Sequence, residues 1–177
     1  MSDSGGTTLR IGVALELRGD SGEMLADAKA IEAAGADSLW VDRSDDVDQY
    51  IVLAAIAAVT YRVRLVAGGA GGVTKESATC SRLANGRLVA PSELLVSTRR
   101  PEDAKPAFGR AREVGAPLEC WLRAPFPDGR AAWDELRRAC TDAGAHGVVL
   151  PNDPRLIDLL RNPDIIEARD DLKLSFG

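Results

Sequence analysis

A junction of one design occurs three times in this chain: the end of a helix, a glycine and the start of a strand. The two most similar copies read Ala-Ile-Glu-Ala-Ala-Gly-Ala-Asp-Ser-Leu-Trp-Val-Asp at 30–42 and Ala-Cys-Thr-Asp-Ala-Gly-Ala-His-Gly-Val-Val-Leu-Pro at 139–151. A weaker copy occupies residues 111–122. Repeated junctions of this kind are typical of (β/α) barrels, in which each helix returns the chain to the next parallel strand.

The clearest single unit runs from Asp37 to Gly69 and predicts a strand, a helix and a second strand. Its two ends are short, apolar and rich in strand formers. Between them, five residues recur at helical spacing: Tyr50, Leu53, Ala54, Ala57 and Ala58. The side chains of residues 44–46 (Ser-Asp-Asp) are typical helix caps, so we predict that the helix begins there. Parallel sheets built from such units hold functional groups at the C-terminal ends of their strands.

Counting along the whole chain gives six or seven strands, mostly parallel. An eight-stranded barrel usually needs about 200–250 residues, and this chain has 177. The predicted fold is therefore α/β and TIM-barrel-like, but incomplete or compressed. We predict a disordered tail at 1–8 and one shortened barrel-like domain at 9–177. The alternating segment 172–176 is a candidate strand, for its own sheet or for that of a neighbour.

Composition excludes several classes of protein. The net charge of −5 argues against a nucleic-acid binder, which needs clustered basic charge. Three widely spaced cysteines fit reduced thiols better than a disulfide framework, and no cluster has the spacing of a metal site. The polar N-terminus does not read as a signal peptide, and no apolar run is long enough to span a membrane. A cytoplasmic protein is expected.

Three segments, at 34–42, 53–65 and 81–88, carry a resemblance to a known family. They read Ala-Gly-Ala-Asp-Ser-Leu-Trp-Val-Asp, Leu-Ala-Ala-Ile-Ala-Ala-Val-Thr-Tyr-Arg-Val-Arg-Leu and Ser-Arg-Leu-Ala-Asn-Gly-Arg-Leu. In these segments, which lie within roughly residues 9–90, the chain resembles the luciferase-like monooxygenase superfamily. The resemblance implies a (β/α)8 barrel that uses FMN or the deazaflavin F420. It also implies a loss, because the middle of the barrel is missing after residue 90.

Six residues are candidates for cofactor binding. Asp42 and Arg43 follow the second strand, and many F420-using members of the superfamily carry Asp-His there. An arginine stays protonated, so Arg43 can stabilise an anion but cannot exchange protons near neutral pH. Gly68 and Gly69 end the third strand and permit close approach of a flavin ring or phosphate. A surface ion pair and a flexible connection are the structural alternatives for these two pairs.

The remaining two candidates are Glu16, near the end of the first strand, and Trp40. A carboxylate at Glu16 can face the barrel mouth or lie in solvent. Trp40, like the other two tryptophans, reads first as a core residue, but it can also wall a flavin site. The only histidine, His146, begins a late strand at the N-terminal face and is predicted to be structural. No catalytic residue is predicted.

The sequence favours a shortened luciferase-like protein of the flavin- or F420-dependent oxidoreductase superfamily, with weakened or lost catalysis. Loss of the cofactor itself is one form that this weakening can take. Two alternatives remain open: a small active FMN- or F420-dependent oxidoreductase, and a non-catalytic dimeric module that binds a ligand or partner. A shortened barrel exposes sheet edges, and a second copy can cover them, so a homodimer is expected.

Overall fold

Strands and helices alternate along the chain. A computed structural model describes residues 8–16, 20–45, 47–69, 74–98, 100–113 and 118–161. The strands are β1 Arg10–Leu15, β2 Ser38–Val41, β3 Arg64–Ala67, β4 Leu88–Val89, β5 Leu94–Ser97, β6 Glu119–Arg123 and β7 Gly147–Pro151. The helices are α1 Ser21–Ala34, α2 Gln49–Val59, α3 Lys75–Leu83, α4 Pro101–Glu113, α5 Gly129–Ala143 and α6 Leu156–Arg161. The predicted tail at 1–8, except Thr8, and the candidate strand at 172–176 lie outside the described residues.

The seven strands form one sheet in the order β4-β3-β2-β1-β7-β6-β5. Every neighbouring pair is parallel, and β7 pairs directly with β1. The sheet curls into a half-barrel with the helices outside it. The prediction of an incomplete TIM-barrel-like fold with six to seven mostly parallel strands is confirmed.

The half-barrel is open between β4 and β5, which follow one another in the chain but lie at opposite ends of the sheet. Only residues 90–93, which include a 3-10 turn at Pro91–Glu93, connect them. Parallel neighbours need a crossover of a dozen or more residues, usually a helix. Four residues cannot supply that crossover, so β4 and β5 do not pair. The seam falls at about residue 90, where the sequence resemblance also ends.

Two of the repeated junctions end their helices with a glycine in the left-handed region. Gly35 follows α1 with φ of 102°, and Gly144 follows α5 with φ of 83°. The N–H of each glycine donates to carbonyls of the last turn, to that of Glu32 and to that of Thr141 respectively. Residues other than glycine rarely adopt this backbone conformation, so the glycine determines where each helix ends.

Helix α2 begins later than predicted. Its N-cap is Asp48, whose carboxylate accepts the N–H groups of Tyr50 and Ile51 at 2.7 and 3.4 Å. A cap at residues 44–46 would add polar residues to the start of a helix whose apolar face begins near Tyr50. The buried face also differs slightly from the predicted one: Ala58 is exposed, and the buried residues are Val52, Leu53, Ile56 and Ala57.

Arg87 anchors the segment that precedes β4. Its guanidinium donates to the carbonyls of Ala57, Thr60, Val63 and Ala84, and to the hydroxyl of Thr60, at 3.0 to 3.1 Å. These acceptors include the last carbonyls of α2, which have no partner within the helix. Arg87 therefore ties the end of α2 to the strands beside it, which gives a physical role to the Gly-Arg segment of the family resemblance.

Two tryptophans are the largest side chains on the concave face of the sheet, where Val66, Val89 and Val149 pack with them. Trp40 on β2 and Trp121 on β6 are each 1% exposed, and their ring centroids lie 5.4 Å apart in an edge-to-face arrangement. Each ring lies above a glycine of a neighbouring strand. A side chain at Gly12 would collide with Trp40, and one at Gly147 would collide with Trp121. Because Gly12 on β1 and Gly147 on β7 have no side chains, the two indoles can occupy the space above them.

Replacing Gly147 by alanine is expected to destabilise the fold, because the added methyl group would meet the six-membered ring of Trp121. Overpacking a core typically costs roughly 1–3 kcal/mol of unfolding free energy, which urea denaturation can measure. Gly109→Ala is the matched control. An alanine there meets no atom within 4 Å and favours helix α4 by roughly 0.5–1 kcal/mol. Unchanged stability of Gly147→Ala would contradict the packing described here.

Candidate functional site

A cleft of about 530 Å³ lies between β2 and β3 on one side and β5 and β6 on the other. Its apolar wall consists of Trp40, Ala67, Leu94 and Val96. Gly68 and Gly69 lie beside this wall, where β3 ends. Pockets of about 300–1,000 Å³ with mostly apolar walls are typical of small-molecule sites. The position at the C-terminal ends of β2, β3 and β6 is the one at which α/β folds place ligands.

Three polar side chains complete the lining: Asp42, Thr98 and Arg123. Arg123 is the last residue of β6 and donates from both terminal nitrogens to the two carboxylate oxygens of Asp42, each at 2.6 Å. The guanidinium also covers one face of Trp40, with its central carbon 5.5 Å from the ring centroid. The ion pair therefore bridges the cleft from β6 to the residue that follows β2.

Gly68 makes room for this ion pair. A side chain at position 68 would occupy the place of the Asp42 carboxylate. The backbone N–H of Gly68 also donates to the carbonyl of Val41 at 2.8 Å, which holds the ends of β2 and β3 together. Gly69 has φ of 90° and no atom within 4 Å of an added side chain other than the Cβ of Arg43. The two glycines thus differ in role: one positions a carboxylate, and the other leaves open space.

Four of the six residues predicted from the sequence line the cleft: Trp40, Asp42, Gly68 and Gly69. Glu16 and Arg43 are exposed and are not part of the described lining. Sequence reasoning missed Arg123. The signal was present in β6, where alternation places Glu119, Trp121 and Arg123 on one face of the strand.

The opposite end of the sheet carries a second ion network. Glu119 accepts from Arg10 at 3.0 Å and from Arg64 at 2.9 Å, and each of these residues begins its strand. Its carboxylate also accepts the indole N–H of Trp121 at 3.1 Å. Burial alone would raise the pKa of Glu119, but the donors from Arg64, Trp121 and Arg10 outweigh it and lower the pKa. This network ties β1, β3 and β6 together below the two tryptophans.

His146 lies at this same N-terminal end, away from the cleft. Its Nδ1 accepts the backbone N–H of Cys120 at 2.9 Å. Its backbone N–H donates to the Cys120 carbonyl at 2.7 Å, and its backbone carbonyl accepts the backbone N–H of Arg10. Burial and the nearby guanidinium groups of Arg112 and Arg10 lower its pKa, although Glu119 acts in the opposite direction. These contacts join β6, β7 and β1 and match the structural role predicted for His146.

Other kinds of site find little support in the described part of the chain. No group of three or more His, Cys, Asp or Glu side chains there is arranged to hold a metal ion. The three cysteines are buried, and burial raises the pKa of the Cys140 thiol to about 11. A thiol with so high a pKa is a poor nucleophile at neutral pH. None of the described helices is long and apolar enough to cross a membrane.

Comparison with known proteins shows a fold and no family. No protein-family model and no curated protein matches the sequence. Among solved structures, the chain is similar to an F420-dependent secondary alcohol dehydrogenase in complex with an F420-acetone adduct. The TM-score is 0.58 at 12% sequence identity, over 88% of this chain and 98% of that chain.

A second solved structure is (S)-3-O-geranylgeranylglyceryl phosphate synthase from Thermoplasma acidophilum, in complex with sn-glycerol-1-phosphate. It gives a TM-score of 0.49 at 13% identity, over 88% of this chain and 91% of that chain. At 12% identity, the likeness to the dehydrogenase establishes the barrel-like fold alone.

Stability is expected to fall as the pH drops from about 7 to 5. His146 is the only histidine of the chain, and its folded pKa is lower than the ordinary value of about 6.5 expected in the unfolded chain. The unfolded chain therefore takes up the proton first. The stabilising contribution is complete above pH 6.5 and is lost as the pH falls.

Urea denaturation at a series of pH values tests this expectation. His146→Asn is the matched variant, because its side-chain carbonyl can still accept the Cys120 N–H but does not titrate. We expect a flatter dependence of unfolding free energy on pH for this variant. The same slope in both proteins would assign the pH dependence to another group.

Proposed function

We propose that the protein is a shortened luciferase-like protein of the flavin- or F420-dependent oxidoreductase type, whose cleft binds the ring system of FMN or F420. We further propose that its catalysis is weakened or lost. The observation that carries the proposal is the largely apolar cleft at the C-terminal ends of the strands. The family-like segment at 34–42 contributes two of its lining residues, Trp40 and Asp42. The similarity in fold to an F420-dependent alcohol dehydrogenase is consistent with it.

The residues of the cleft fit a planar ring. Leu94 and Val96 offer apolar surface, Gly69 leaves space, and Thr98 can meet polar atoms at the ring edge. A flavin or deazaflavin, when bound, supplies the hydride chemistry, and the protein supplies binding and orientation. In this cleft, Leu94 and Val96 would bound the ring, while Thr98 would orient its polar groups.

Weak catalysis is proposed because the cleft offers poor groups for proton transfer. Both oxygens of Asp42 accept from Arg123, and a guanidinium does not deprotonate in proteins. His146 contacts β6 and β1 at the other end of the sheet. General acid–base assistance typically contributes about 10²–10⁴-fold to a rate. The open seam between β4 and β5 also removes part of the wall that would exclude water.

Calorimetric titration with FMN and with F420 tests cofactor binding. We expect saturable binding of at least one of them. Val96→Trp should abolish it by filling the cleft, since Val96 is 40% exposed and can be enlarged without disturbing the core. Ile51→Trp is the matched control, because Ile51 is 69% exposed on α2, outside the cleft lining.

If neither FMN nor F420 binds with a Kd of about 100 µM or tighter, the proposed function is contradicted. This Kd corresponds to a binding free energy of roughly −5.5 kcal/mol. Rapid reduction of the bound cofactor by a simple alcohol would favour the active-oxidoreductase alternative over weakened catalysis.

We also propose that the protein is a homodimer. Within the described residues, β4 and β5 each leave one unpaired edge at the seam. Unpaired edges are templates for pairing with another chain. Light scattering at micromolar concentration should give twice the 18.8 kDa mass of one chain. A stable monomer under these conditions would rule the dimer out.

A further inference from the structure

Arg123 is the only cation in the described lining of the cleft. The other lining side chains are apolar or uncharged, apart from Asp42. The planar fork of its guanidinium matches carboxylate and phosphate groups equally well. A ligand that carries an oxyanion into this cleft would therefore meet one strong partner.

In this structure, the Asp42 carboxylate is already bound to the Arg123 guanidinium. It accepts from both terminal nitrogens of Arg123 at 2.6 Å, which is the bidentate geometry of a bound oxyanion. Asp42 is more than half exposed, with 54% of its side-chain surface accessible, whereas the side chain of Arg123 is 25% exposed. Partly exposed ion pairs contribute little net stability, so an incoming oxyanion can replace this carboxylate at low cost.

The guanidinium is held in place independently of Asp42. It stacks over Trp40, which is buried and packed edge-to-face against Trp121. Stacking of this kind is itself attractive and orients the plane of the fork. Arg123 therefore keeps its position when the partner oxygen atoms change, and its fork faces a cleft whose remaining wall suits a ring.

We infer that Arg123 recognises an oxyanion of the ligand and that Asp42 is an internal counterion which this oxyanion displaces. The inference rests on the proposed function, because a flavin or deazaflavin would carry the oxyanion. It assigns a ligand class to the site: a planar ring with a phosphate or carboxylate within reach of the ring edge. It also assigns opposite effects to the two members of the ion pair.

The test compares FMN with riboflavin, which lacks only the phosphate. Asp42→Asn removes the competing carboxylate and should tighten FMN binding about fivefold, the scale of an exposed ion pair. Arg123→Gln should weaken FMN binding by about tenfold or more, the scale of a charged hydrogen bond. Both variants should leave the affinity for riboflavin within about twofold of the parent value, because no charge pairing is involved.

Arg100→Gln is the control for net charge. It makes the same charge change as Arg123→Gln at a residue whose side chain is 75% exposed and lies outside the cleft lining. FMN affinity should not change in this variant, and circular dichroism should confirm that all variants are folded. If F420 binds and FMN does not, the same series is run with F420 and its phosphate-free ribityl deazaflavin.

The outcomes separate the two claims. Equal affinity for the ligands with and without phosphate, or weaker FMN binding by Asp42→Asn, would overturn the inference and leave the proposed function standing. Binding of no flavin or deazaflavin by any of the proteins would overturn the proposed function and the inference with it. Tighter binding by Asp42→Asn and weaker binding by Arg123→Gln, confined to the phosphate-bearing ligand, would establish the displacement.

Discussion

The edge-to-face contact between Trp40 and Trp121 is the interaction on which the rest of the structure depends. A barrel fills its interior with side chains from all its strands, but seven strands with an open seam supply fewer of them. Two indoles on β2 and β6 are the largest side chains of that interior, because Gly12 and Gly147 have no side chains to oppose them, and smaller residues such as Val66 and Val149 pack around them. Aromatic pairs of this geometry add to the burial of their large apolar area. The curl of the sheet thus depends on which residues are small as much as on which are large.

An arginine in an ion pair covers each of the two tryptophans, Trp40 and Trp121. Arg10 lies over Trp121 with its central carbon 5.7 Å from the ring centroid, and Arg123 lies over Trp40 at 5.5 Å. Glu119 forms ion pairs with both Arg10 and Arg64, and Asp42 forms an ion pair with Arg123. The two ends still differ in exposure. The side chain of Glu119 is 26% exposed and has a lowered pKa, whereas that of Asp42 is 54% exposed and borders the cleft. Similar chemistry therefore serves closure at one end and is accessible to a ligand at the other.

Local sequence signals predicted the elements of this fold well and its long-range contacts poorly. The glycines that end α1 and α5 follow from patterns within a few residues, and the structure confirms them. The start of α2 was wrong because several acidic and hydroxyl groups compete as caps, and only the packing of the apolar face selects Asp48. The pairing of β7 with β1 and the bond from Arg123 to a carboxylate 81 residues away join distant parts of the chain. No periodicity encodes such contacts, although alternation along β6 placed Arg123 on the correct face.

The connection at residues 90–93 has two consequences of opposite sign for function. It is too short for a crossover helix, so it leaves β4 and β5 as edges and removes the barrel wall beside the cleft. A site that water can enter gains less from each electrostatic interaction, because the surrounding dielectric is higher. In the proposed binding mode, the same opening would admit a ring, and the exposed ion pair between Asp42 and Arg123 would exchange partners. These two consequences are the reason that we propose binding of a planar anion with weakened catalysis.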